Sequence, residues 1–170
     1  MLMSSFMGTI GLFQGERPVF LREQANRMYG VVAYFNAKTL AELPITTANP
    51  LLFCCIIYFG MGFTATASQF FTFYLTIWAL VQASMSLGYL VSSIFEDFAI
   101  ASMIAPVLMM PFMLFSGFYA NLDSILPWLA WFQWCSPLKY SLEALMQNEF
   151  RDDTDGFDIL DLLGLDFGLW

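Results

Sequence analysis

Three observations predict an all-α membrane protein. Apolar residues make up 59% of the 170-residue chain and charged residues only 12%, half the ~25% of an ordinary soluble domain. The charges are segregated: residues 1–15, 43–95 and 98–122 carry none. The basic residues are clustered, with Arg17, Arg22, Arg27 and Lys38 in one stretch and only Lys139 and Arg151 elsewhere. A hydrocarbon core of ~30 Å takes about 20 helical residues, and in lipid a helix satisfies its backbone polar groups internally. The run 43–95 therefore holds two spans and a turn, and 98–122 holds one.

Residues 1–13 resemble a signal peptide only in being apolar. They lack a basic leader and a small-residue cleavage site and are too short to cross. They read as the end of a helix whose start is missing, and the abrupt LLGLDFGLW terminus likewise suggests a piece of a longer polypeptide. Residues 16–42 are charged and amphipathic. Pro18 suits a helical first turn, with Phe20, Leu21, Met28 and Tyr29 apolar against Arg22, Glu23, Asn26 and Arg27. Two readings stay open for this stretch: a helix lying on the headgroups, or a contact surface for a partner.

Spans are expected at 44–63, 70–95 and 98–120, separated by a turn at 64–69 and by Glu96-Asp97. Pro106 and Pro111 predict a kink in the third. Ser84, Gly88 and Ser92 recur every four residues in the second, a pattern that lets membrane helices approach closely. Met103, Met109, Met110 and Met113 on the third suit either bundle packing or an adaptable apolar surface. Residues 121–170 form an acidic segment. Within it Ser124–Leu138, with Trp128, Trp131 and Trp134, reads as a re-entrant or interfacial helix, and Tyr140–Phe150 as a helix. Arg151–Asp155 lacks the glycine and terminal glutamate of a calcium loop and reads as a solvated turn. The positive-inside rule puts 16–42 in the cytoplasm and 121–170 outside.

Several functions are excluded by residue type. A net charge of −8 with six Lys and Arg leaves nothing to neutralise phosphates, so nucleic acid is not a partner. There is no His, and Cys54, Cys55 and Cys135 have no ligand spacing, so neither a metal site nor a nucleophile–histidine pair is expected. No G-x-x-x-x-G-K-[ST] occurs to cradle ATP phosphates. Every Asp and Glu lies outside the expected spans, against an intramembrane enzyme. The chain thus has no expected catalytic residue.

Three stretches carry a resemblance. Gly15–Leu43 reads E-R-P-V-F-x-R-E, then M-Y, then A-Y-F-x-x-K-x-L-x-E-L-P. Phe115–Leu122 reads F-S-G-F-Y-A-N-L. Pro127–Phe150 reads W-L-x-W-x-Q-W-x-S-P-L-K-Y-x-x-E-A-L-x-x-N-E-F. In this order they resemble the membrane domain of G-subfamily, White-type, ATP-binding-cassette transporters. The resemblance implies a partial six-helix exporter domain: the end of helix two, helices three to five and re-entrant external helices, with the nucleotide-binding domain absent.

It further implies that Val19–Tyr29 is a coupling helix docking on that domain, with Glu16, Arg17, Phe20, Arg22, Glu23 and Tyr29 as contacts. Ser4, Ser5, Met109, Met110 and Met113 would line a substrate cleft between two half-transporters. Phe118 and Tyr119 would form the outer gate, where the best-known multidrug relative has two leucines. ATP and Mg would bind only to the absent domain. The partners implied are that domain, a second half-transporter (identical or related), an amphipathic substrate and the bilayer. The expected function is ATP-driven export of a lipid, sterol or other amphiphile by alternating access. The alternative is a truncated subunit that only dimerises with relatives.

Overall fold

The structure, a computed structural model, describes residues 1–61, 67–116 and 134–150. Among these residues the chain forms five helices: α1 Leu2–Ala25, α2 Val31–Met61, α3 Ala67–Ile94, α4 Phe98–Leu114 and α5 Pro137–Phe150. Helix α3 is central and touches the other four. Two helices, over Val31–Gly60 and Ala67–Ile94, are long and apolar enough to cross a bilayer, and Phe98–Leu114 is a shorter apolar helix.

The core lies where α1, α3 and α4 meet. Phe6, Ile10, Val91, Ala101, Ala105 and Met109 are buried together there. The small-residue stripe of α3 makes this packing possible: Ser84, Gly88 and Ser92 are all buried. A Cβ on Gly88 would stand 3.0 Å from the Phe6 carbonyl oxygen and 3.0 Å from Thr9 Cβ, so α1 backbone sits almost on α3 backbone. Close approach of this kind holds membrane helices together, because lipid supplies no hydrophobic drive between them.

The helix bounds depart from the sequence expectation on both sides of the turn that joins α1 to α2. Residues 16–25 continue α1 straight through Pro18, and no separate helix spans Val19–Tyr29. Proline inside a helix costs one ladder bond and some strain, and here the helix runs on regardless. The chain turns at residues 26–30. Met28 N–H donates to Glu23 O at 3.2 Å and Arg27 N–H to Gln24 O at 2.9 Å, with Arg27 at φ 51°. This is a Schellman-type stop whose left-handed position is usually glycine. An arginine there gives no warning in the sequence.

Helix α2 then starts at Val31 and runs through Pro44 and Pro50. Its 31 residues extend about 46 Å at ~1.5 Å per residue, well beyond a ~30 Å hydrocarbon core. Its first turns therefore project past the span expected from residue 44. Helix α4 ends at Leu114, short of the expected 120. Phe115 N–H donates to Pro111 O, and Ser116 Oγ to Met113 O at 2.7 Å, which closes the last turn. The expected turn at 64–69 falls partly on residues 62–66, outside the described residues, while Ala67–Gln69 are already helical. Trp128 and Trp131, most of the expected Ser124–Leu138 helix, and Arg151–Asp155 also lie outside them. Tyr140–Phe150 is helical, within α5.

Candidate functional site: a polar junction at the hairpin end

At the end of the bundle where α1 turns into α2, side chains from three helices meet in one polar network. Lys38 on α2 is its centre, with a side chain only 6% exposed. Its ammonium donates to Glu16 on α1 and lies 3.1 Å from Glu42 Oε1 on its own helix. The Glu42 contact has ion-pair distance without hydrogen-bond alignment, since that oxygen accepts no hydrogen bond. The other Glu42 oxygen accepts from the Tyr89 hydroxyl on α3. Glu16 Oε2 also accepts from Tyr34 OH at 3.0 Å. One buried cation thus ties α1, α2 and α3 through two carboxylates and two phenols.

Aromatic rings extend this junction toward the hairpin tip. Phe20 packs on Tyr34 at 4.5 Å between centroids, and Tyr29 stacks on Tyr34 at 5.9 Å. Tyr29 OH donates to Glu23, and Gln24 Nε2 to Tyr29 O at 3.1 Å. Acceptance by Glu23 holds the Tyr29 hydroxyl above its ordinary pKa, with burial and the Glu23 charge adding to it. Beyond these rings the tip is open. Val19, Leu21, Met28, Val31 and Val32 are exposed hydrophobics. Arg22 and Arg27 are exposed, and among the described residues their side chains make no ion pair or hydrogen bond.

Burial alone would raise the Glu16 carboxyl. The hydrogen bonds from Lys38 and Tyr34 and the Lys38 charge outweigh it and hold Glu16 below its ordinary 4.5. A depressed acid stabilises the folded form fully above its unfolded value and loses that contribution as pH falls through the folded value. Glu16→Gln is therefore expected to lower the melting temperature of the full-length protein at pH 7, with the gap closing as pH is lowered below 4.5. Thermal unfolding of both proteins in lipid nanodiscs across pH 3–7 checks this. A gap independent of pH would show that the carboxylate charge is not the stabilising feature.

The six residues expected to face a partner divide into three groups. Arg22, with its exposed side chain, is on the outer surface. Glu16, Phe20, Glu23 and Tyr29 are engaged within the hairpin. Arg17 turns to α3, donating to Phe95 O at 3.1 Å and to Glu96 Oε1 at 3.2 Å.

The expected cleft residues are likewise split. Ser4 and Ser5 line a groove of about 740 Å³ between α1 and α2, floored by Val81 and Met85 of α3, with Thr46, Asn49 and Glu42 as polar neighbours. Met109 is instead buried in the core against α1. Met110 and Met113 are exposed on α4. None of these three methionines lines the groove that holds the serines. Phe118 and Tyr119 lie outside the described residues.

The sequence assigns no site role to Lys38, Glu42 or Tyr89. The Lys38–Glu42 spacing of four within a helix was a visible signal of pairing. The links to Glu16 and Tyr89 cross 22 and 47 positions and leave no local trace.

Residues 1–150 match the family profile described as ABC-2 type transporter. The chain is 35% identical over 156 residues to "Protein white" of Drosophila melanogaster, covering 92% of this chain and 23% of that protein. It is 37% identical over 145 residues to "ABC transporter G family member 2" of Dictyostelium discoideum, covering 85% and 11%. It is 29% identical over 160 residues to the mouse "Broad substrate specificity ATP-binding cassette transporter ABCG2", covering 92% and 24%. The chain thus spans a quarter or less of the length of these relatives. With the family profile matched over most of its length and apolar helices that reach across a bilayer, the chain is an integral membrane protein and belongs to the ABC-2 type transporter family.

Proposed function

We propose that this chain is the membrane-spanning part of an ATP-driven exporter of lipids, sterols or other amphipathic molecules, and that its α1–α2 hairpin couples nucleotide-domain closure to alternating access. The observation that carries this reading is the hairpin itself. An exposed tip with apolar side chains and two arginines is joined, through stacked rings and a buried Lys38, to the ends of three helices. A push on the tip is then transmitted as a rigid displacement, because charge-assisted hydrogen bonds fix the register of the helices they join.

Under this reading the 16–42 stretch is cytoplasmic, and the tip docks on a nucleotide-binding domain. ATP and Mg belong on that domain. The chain itself has no phosphate-cradling motif, and among the described residues no His, Cys, Asp or Glu group is arranged to hold a metal. A second half-transporter completes the cleft. Helix α4 presents Ile100, Met103, Val107, Met110 and Leu114, all exposed, at spacings of three and four that form one seam. A membrane helix seam of this form suits a partner helix, and flexible Met103 and Met110 suit varied apolar cargo. The resulting step is differential affinity for cargo on the two sides of the membrane.

The full-length transporter in membrane vesicles tests the coupling role. ATPase activity is measured with a panel of sterols and phospholipids for the native protein and for Arg22→Ala with Arg27→Ala. Stimulation by cargo is expected to fall about tenfold, the loss of a charge-assisted contact at the docking face, with expression and dimerisation unchanged. Undiminished stimulation would move the coupling surface elsewhere.

A further inference from the structure

Helix α3 ends at Ile94, and its final carbonyls need partners that its own backbone does not supply. The structure supplies them from α1. Gln14 Nε2 donates to Ser92 O at 3.2 Å and to Phe95 O at 2.6 Å, and Arg17 donates to Phe95 O and Glu96. A guanidinium is the favoured charge at a helix C-terminus, where the macrodipole is negative. Arg17 is only 21% exposed, whereas Glu96 is 87% exposed, so the carbonyl contact, not the surface ion pair, fixes Arg17 here. Only residues 95–97 separate α3 from α4. The first residue of α4 also rests on α1: a Cβ at Gly11 would meet the Phe98 ring at 3.6 Å.

We propose that Gln14 and Arg17 are positioning residues that clamp the α3–α4 turn to α1, so that displacement of the hairpin carries α4 with it. The inference rests on the coupling role above and assigns Arg17 to an internal joint instead of the docking face. It supplies what the hairpin network lacks, since Glu16, Lys38, Glu42 and Tyr89 reach α3 but none reaches α4. Through the clamp, the helix that presents Met103 and Met110 moves with the end that receives the push.

Hydrogen exchange on the full-length transporter in nanodiscs tests the clamp without knowledge of the cargo. Native protein is compared with Gln14→Ala/Arg17→Ala, nucleotide-free and trapped with Mg·ATP and vanadate. Nucleotide-free exchange over residues 92–98 is expected to rise about tenfold in the variant, the scale of a lost hydrogen bond from a charged donor. On trapping, native 20–31 and 92–98 are expected to shift together. In the variant the 92–98 shift is expected to fall at least about threefold while the 20–31 shift persists, as for two elements whose coupling is weakened.

Unchanged nucleotide-free exchange at 92–98, or an undiminished shift there on trapping, overturns the clamp. Absence of a shift at 20–31 in native protein sinks the coupling role instead, and the nucleotide-free arm still decides the clamp. Should the double variant fail to assemble, Arg17→Lys and Gln14→Glu are run in the same assay with the same criteria.

Discussion

Lys38→Met is expected to destabilise the folded protein by about 3 kcal/mol, the scale of removing one partner from a buried ion pair. The Lys38 side chain is 6% exposed and sits between Glu16 and Glu42. Methionine has similar volume and fills the space but leaves two carboxylates facing one another. Glu42 is 16% exposed and bears most of the penalty; Glu16, 46% exposed, turns to water at little cost. Thermal unfolding of full-length protein in nanodiscs at pH 7 measures the loss. Adding Glu42→Gln to Lys38→Met is expected to recover more than half, because the stranded charge is gone. A loss below about 1 kcal/mol would place the junction in the class of surface pairs.

Gly88→Leu is expected to cost about 3 kcal/mol, the upper end of the overpacking range. The obstacle is backbone: the Phe6 carbonyl oxygen lies 3.0 Å from where a Cβ would stand, and no rotamer moves it. Separation of α1 from α3 would also open the core around Phe6, Ile10 and Val91. Gly88→Ala is expected to lose less, since the gain in helix propensity of about 1 kcal/mol offsets part of the contact. Gly8→Ala, on α1 with nothing within 4 Å of the added carbon, is expected to be neutral or stabilising. The difference between the two alanine variants, read as melting temperatures in the same lipid, isolates close approach from propensity. Equal effects would mean that α1 and α3 do not pack through Gly88.

The charge-free runs 43–95 and 98–122 determined, without any coordinates, that the chain is helical and membrane-embedded. Lipid leaves a backbone few alternatives, and helix length follows from bilayer thickness. The Ser84-Gly88-Ser92 spacing likewise announced a helix–helix contact, because small residues on one face have few other uses in a membrane. The family was legible in the motifs of Gly15–Leu43, Phe115–Leu122 and Pro127–Phe150. Only the tertiary structure decided which partner the stripe meets, namely Phe6 and Thr9 of α1. It alone showed that residues 16–25 prolong α1, since the stop rests on a left-handed Arg27 instead of a glycine. It alone turned Arg17 and Gln14 inward to the end of α3, buried Met109 while exposing Met110, and gathered Glu16, Lys38, Glu42 and Tyr89 around one ammonium. Local pattern records what each helix needs of its solvent. Which polar side chain answers which depends on how the helices rotate and stack, and close packing at Gly88 settles that far from the residues it brings together.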